Sequence, residues 1–118
     1  MKITPEAVRH LYSSLMVTYP FTKWPMPLPE AVDFQILNDV ELMGSYLFDS
    51  GEDDYEHTIT ISSARCAFFS TLLATLAHEM IHCSFHKQKG DKWLQHGKAF
   101  RTRCKLVGNE LGLDPLEL

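Results

Sequence analysis

Residues 64–87 read ARCAFFSTLLATLAHEMIHCSFHK, and the five letters HEMIH at 78–82 decide how the rest of the chain is organised. Histidines four apart lie on one face of an α-helix, one turn above the other. That spacing lets two imidazoles grip one Zn²⁺, and Glu79 between them is placed to handle the proton of a water there. Ahead of the motif, Ala67, Phe68, Phe69, Leu72, Leu73, Ala74, Leu76 and Ala77 make the stretch apolar almost all round. A helix of that kind is enclosed on several sides. The pattern therefore predicts a central helix, capped at Ser62 or Ser63 and running to about Lys87.

A catalytic zinc takes three protein ligands and leaves a fourth position open, so the chain must offer a third. The metzincin spacing requires Gly three and His six residues after His82, where this chain has Phe85 and Gln88. His86 lies one turn beyond His82, but three ligands stacked on one straight helix would span about 12 Å, too far for one ion. Glu110, in NELGLD, is close to the Asn-Glu-x-x-Ser-Asp carboxylate run of thermolysin-like sites, with Leu113 where that run has serine. His96 is the strongest candidate. It opens HGKAF where a loop hands over to a helix, and Gly97 leaves room for close approach.

Outward from this centre, Thr4-Pro5-Glu6 reads as a hydroxyl cap, a first-turn proline and a first-turn carboxylate. Val8, Leu11, Tyr12, Leu15 and Met16 follow at helical spacing, giving an amphipathic helix over about 5–18. Pro20, Pro25, Pro27 and Pro29 make an extended connector that wraps the domain. VDFQIL (32–37) reads as a strand, Asn38-Asp39 as a turn, and ELMGSYLF (41–48) as the returning strand. Gly44 within it predicts a bulge or a close backbone approach. The acidic tip at 49–56 reads as a solvated turn, and HTITIS (57–62) as a third strand. A last helix runs from near His96 to about Leu111, stopped by Gly112.

At 45% hydrophobic and 22% charged, the 118 residues have the composition of one ordinary globular domain. No apolar run reaches signal-peptide or membrane-spanning length, so no membrane role is expected. Three cysteines, Cys66, Cys83 and Cys104, without a CxxC argue against a disulfide framework and for a reducing, cytoplasmic setting. Cys83 points about 100° away from His82 and reads as packing. The net charge of -4 argues against nucleic-acid binding. Its distribution is uneven, because Lys87, Lys89, Lys92, Lys98, Arg101, Arg103 and Lys105 lie together with only Asp91 opposing them. That segment carries about +6 against about -10 elsewhere. It is a solvated face, or a surface for single-stranded DNA or an acidic partner, with Trp93 available to stack on a base.

HEMIH, a basic loop and then HGKAF together resemble the SprT-like (Spartan-type) metallopeptidase family, over roughly Thr4 to Leu111. The resemblance implies an α+β, zincin-like fold: an N-terminal helix, a small three-stranded, mainly antiparallel sheet, a central HExxH helix and a C-terminal helix, all in one domain over 1–118. It implies zinc held by His78, His82 and His96, Glu79 as general base, and endopeptidase activity on protein substrates, nucleic-acid-associated proteins among them. Tyr46, His57, Arg65 and His86 are candidate oxyanion donors, and HTITIS a candidate edge strand for an extended substrate. Many members continue into a cysteine-rich ribbon or a DNA-binding segment that these 118 residues lack. The alternative is a zinc-stabilised binding module without peptidase activity.

Overall fold

The computed structural model describes residues 2–49 and 56–118. Helix α1 spans Pro5–Met16, and the Thr4 hydroxyl accepts the Ala7 N–H at 3.1 Å as the cap the sequence implies. Val8, Tyr12 and Leu15 face the core. The proline connector is not extended throughout, since single 3-10 turns form at Phe21–Lys23 and Pro29–Ala31, and it is tied down between them at Pro25 and Pro27. Tyr12 donates its hydroxyl to the Pro27 carbonyl at 2.6 Å and packs edge-on against Phe34. Farther round, His86 Nε2 donates to the Pro25 carbonyl at 2.9 Å.

Three strands follow, β1 Val32–Leu37, β2 Gly44–Phe48 and β3 His57–Ser62. Their order is β1-β3-β2, with β3 parallel to β1 and antiparallel to β2. The three-stranded sheet is present, but it is mixed, and the Asn38-Asp39 turn does not fold β2 back onto β1. Burial explains the order. In β3, five of six residues are buried, whereas β1 and β2 expose Gln35, Leu37 and Leu47. A strand with so little exposed surface gains most at the centre, and the half-exposed strands take the edges. HTITIS is therefore the central strand and not the edge expected of it. The acidic tip falls at residues 50–55, outside the described residues, apart from its flanks Asp49 and Glu56.

Helix α2 covers Phe69–Cys83, several residues shorter at each end than its apolar run suggests. Ser62 and Ser63 do not cap it, because their hydroxyls donate to the carbonyls of Asp39 and Leu37 in the β1–β2 connection. Arg65 is drawn the same way, donating to the Val40 carbonyl at 2.8 Å. Residues 63–68 thus form a turn pinned to the start of the β1–β2 connection, and Phe68 and Phe69 emerge into solvent, 74% and 55% exposed. From Leu72 onward the helix is enclosed, with Leu76, Ala77, Met80 and Ile81 fully buried. Helix α3 spans Lys98–Leu111 and stops where Gly112 adopts φ 72°, a left-handed conformation in which a side chain is strained. Beyond it the chain doubles back along α3, and Gly108 is the point of closest approach. A Cβ there would stand 2.8 Å from the Leu113 carbonyl oxygen and 3.0 Å from Pro115. No helix among the described residues is long and apolar enough to cross a membrane.

Candidate metal centre

The last turns of α2 carry His78 and His82, and the loop before α3 brings His96 against them. Ligand-competent atoms of the three side chains all lie within 4.8 Å of one another. His82 Nε2 is 3.2 Å from His78 Nε2 and 2.9 Å from His96 Nε2. Tetrahedral zinc with ~2.0–2.1 Å bonds would hold such nitrogens roughly 3.3 Å apart, so small movements would seat an ion. His96 thus joins the two helix histidines in one cluster, while Glu110 is exposed near the far end of α3 and outside it.

The tautomer of His82 is set by the protein. A carbonyl only accepts, so His82 Nδ1–H donates to the Trp93 carbonyl at 2.7 Å and leaves Nε2 with its lone pair towards the other rings. Trp93 is itself wedged, its ring edge-on to Tyr46 at 5.6 Å and to Phe48 at 6.3 Å. Phe100, one helical turn after His96, backs all three imidazoles, with ring centroids 4.5 to 5.1 Å away. Burial lowers the pKa of His82 to about 4, with His78 adding to it. It also lowers that of His78, assisted by His96 and opposed by a hydrogen bond that His78 donates to the Leu118 backbone. Neutral imidazoles are the form a metal requires. The donor set and the fixed tautomer fit a zinc ion.

Glu79 is only 5% exposed and faces a 250 Å³ cavity bordered by Met43, Gly44, Thr75, His78 and Leu118. Burial pushes its carboxyl up to about 8. A dication beside it would favour the ionised form instead. The close approach at Gly44 is confirmed. A Cβ on it would meet Thr75 Cγ2 at 2.8 Å, the Thr60 carbonyl oxygen at 2.9 Å and Glu79 Oε2 at 3.3 Å. Glycine lets β2 lie flat against the helix turn that carries the carboxylate.

The other sequence candidates are engaged elsewhere. Tyr46 and His57 are hydrogen-bonded at 2.7 Å, and His57 meets His86 edge-on at 4.6 Å. Arg65 is held by the Val40 carbonyl in the β1–β2 connection. Cys83 is fully buried, and its thiol is pushed up to about 12 by that burial. Within the basic segment, Arg103 is structural, lying over the rings of Phe85 and Trp24 and donating to the Ser84 carbonyl and hydroxyl. Sequence reasoning did not find Trp93 as an acceptor, because any residue supplies a carbonyl. Phe100 carried a signal in its place one turn after His96, but no role followed from it.

His57 has a testable consequence. Burial, followed by His86, lowers its pKa to about 4. Below about pH 6.5 the unfolded chain takes up a proton that the folded chain refuses until about pH 4. Stability contributed by neutral His57 is therefore complete above pH 6.5 and is lost as the pH falls towards 4. Urea unfolding at pH 7.5 and pH 5 should show a smaller loss for His57→Gln than for the wild type. An equal loss in both would show that His57 is not among the groups responsible.

Residues 31–116 match the model of the SprT-like family. No curated protein and no solved structure matches the chain.

Proposed function

Because this chain belongs to the SprT-like family, we propose that it is a zinc-dependent endopeptidase in which His78, His82 and His96 hold the metal and Glu79 is the general base. The observation that carries this reading is the gathering of three imidazole nitrogens beside a buried carboxylic acid on the same helix. Zinc bound there would supply a Lewis acid that polarises the scissile carbonyl and makes water nucleophilic near neutral pH. Glu79 accepts the proton of the attacking water and returns it to the leaving amine. Trp93 keeps His82 in its ligating tautomer, and Phe100 packs against the three imidazoles from one side. The outer edge of β2, unpaired among the described residues, leads from Gly44 at the cavity and offers main-chain groups to an extended substrate.

The test is direct. Purified protein should contain about one zinc per chain and cleave a denatured protein, and a chelator should remove both properties together. Stoichiometric zinc without cleavage of denatured or DNA-bound proteins would make the metal a structural fastener and the chain a binding module. The basic segment is the surface proposed for an acidic partner. Lys92 and Lys98 border a 710 Å³ cavity with Trp24 and Phe85, and a single-stranded oligonucleotide at low salt is the probe for it. The buried thiols of Cys66, Cys83 and Cys104 suit a reducing, cytoplasmic setting.

A further inference from the structure

A second cavity, of 510 Å³, opens directly beside the metal cluster, with His78 and His96 in its wall. Its volume is within the range of pockets that enclose small ligands or side chains. Its floor is apolar, formed in part by the buried Phe100 and Cys104. Its border on α3 carries Arg101 and Lys105, one helical turn apart and both exposed. Among the described residues neither cation has an ion-pair partner, and no carboxylate side chain lines the cavity. His78 and Leu118 border both this cavity and the smaller one over Glu79, so the two are neighbours at the metal cluster.

Two like charges at i and i+4 repel each other on a helix, and an anion between them relieves that repulsion. The apolar floor suits methylene groups, and the cationic rim suits a carboxylate at their end. Glutamate and aspartate carry both. We propose that this cavity is a side-chain subsite flanking the scissile bond, and that it selects peptide substrates with an acidic residue there, held by Arg101 and Lys105. The proposal rests on the peptidase reading above and adds the substrate class to it. Both cations are solvent-exposed, so the selectivity is moderate and sensitive to salt, about fivefold to tenfold at low ionic strength.

Two measurements decide it. In the first, zinc-loaded wild type digests a denatured protein mixture and the cleavage sites are mapped by mass spectrometry. Glu and Asp should be enriched at one fixed position beside the cut. In the double variant Arg101→Glu/Lys105→Glu the enrichment should pass to Lys and Arg, and in Arg101→Gln/Lys105→Gln it should disappear, with thermal unfolding checking that each variant is folded. Zinc-dependent cleavage with no charge preference would overturn the proposal and leave the peptidase reading standing. The second measurement does not depend on turnover. Two labelled peptides differing only by Glu or Lys at one central residue are titrated against zinc-loaded Glu79→Gln protein by fluorescence anisotropy. The Glu peptide should bind about fivefold more tightly, and the difference should shrink as salt is raised. Equal binding overturns the proposal. If wild type cleaves nothing but the Glu peptide is still preferred, the peptidase reading fails while acid recognition by the cavity stands.

Discussion

Glu79→Gln is expected to lower peptide hydrolysis by about 10²- to 10⁴-fold while leaving the metal in place. Glutamine has nearly the same shape and fills the same buried space, but it cannot accept a proton from water. Zinc content should be unchanged, since the metal is assigned to the three imidazoles and the carboxylate is not among them. Stability of the metal-free protein should hold or rise. Burial holds the Glu79 carboxyl at about 8, so near neutral pH the metal-free chain must take up a proton there on folding, a cost that an uncharged amide avoids. The decisive comparison is cleavage rate against zinc content in the same preparations. A variant that kept wild-type turnover would remove Glu79 from the mechanism, and one that lost its zinc would place the carboxylate in the metal's coordination.

The second large effect belongs to His96→Ala. His96 is exposed and lies outside the hydrophobic core, so the metal-free fold should tolerate its loss. Zinc binding should not, because only His78 and His82 would remain. An ion that binds only the folded chain stabilises it by about 2.7 kcal/mol at 100 times its Kd. For a domain of this size that corresponds to a rise on the order of 10 °C in melting temperature. Wild type should show the rise when zinc is added after chelation, and His96→Ala should show almost none. Its peptidase activity should fall with the metal. Glu110→Ala provides the contrast, and its zinc response should match wild type. If Glu110→Ala alone lost the response, the thermolysin-like assignment would replace the present one.

Where sequence alone sufficed, one local rule was unopposed. The Thr4 cap, the stop at Gly112 and the HEMIH spacing each depend on a few neighbouring residues, and each is found in the structure. The pairing of His96 with the two helix histidines was also legible, because so few residues could reach them. Strand order was not, since it depends on which strand the whole fold encloses, and the short Asn38-Asp39 link suggests a hairpin that β3 displaces. The start of α2 was misplaced for a similar reason. Ser62 and Ser63 have the chemistry of helix caps, but two distant carbonyls claim their hydroxyls. The surroundings of the candidate oxyanion donors were not legible either. Tyr46 is hydrogen-bonded to His57, His57 meets His86 edge-on, and His86 reaches the Pro25 carbonyl, and no spacing rule records that.

Gly44 bears on inheritance as well as geometry. Every amino acid that could replace it carries a β-carbon, and the space that atom would occupy is already taken by Thr75 and by the Thr60 carbonyl. No missense change in this codon is structurally silent, however conservative it looks on paper. Variation at the position is therefore expected to reach the phenotype through Glu79, whose carboxylate is the third neighbour displaced. A screen of random variants would score the glycine alongside the catalytic residues, although it brings no chemical group to the reaction.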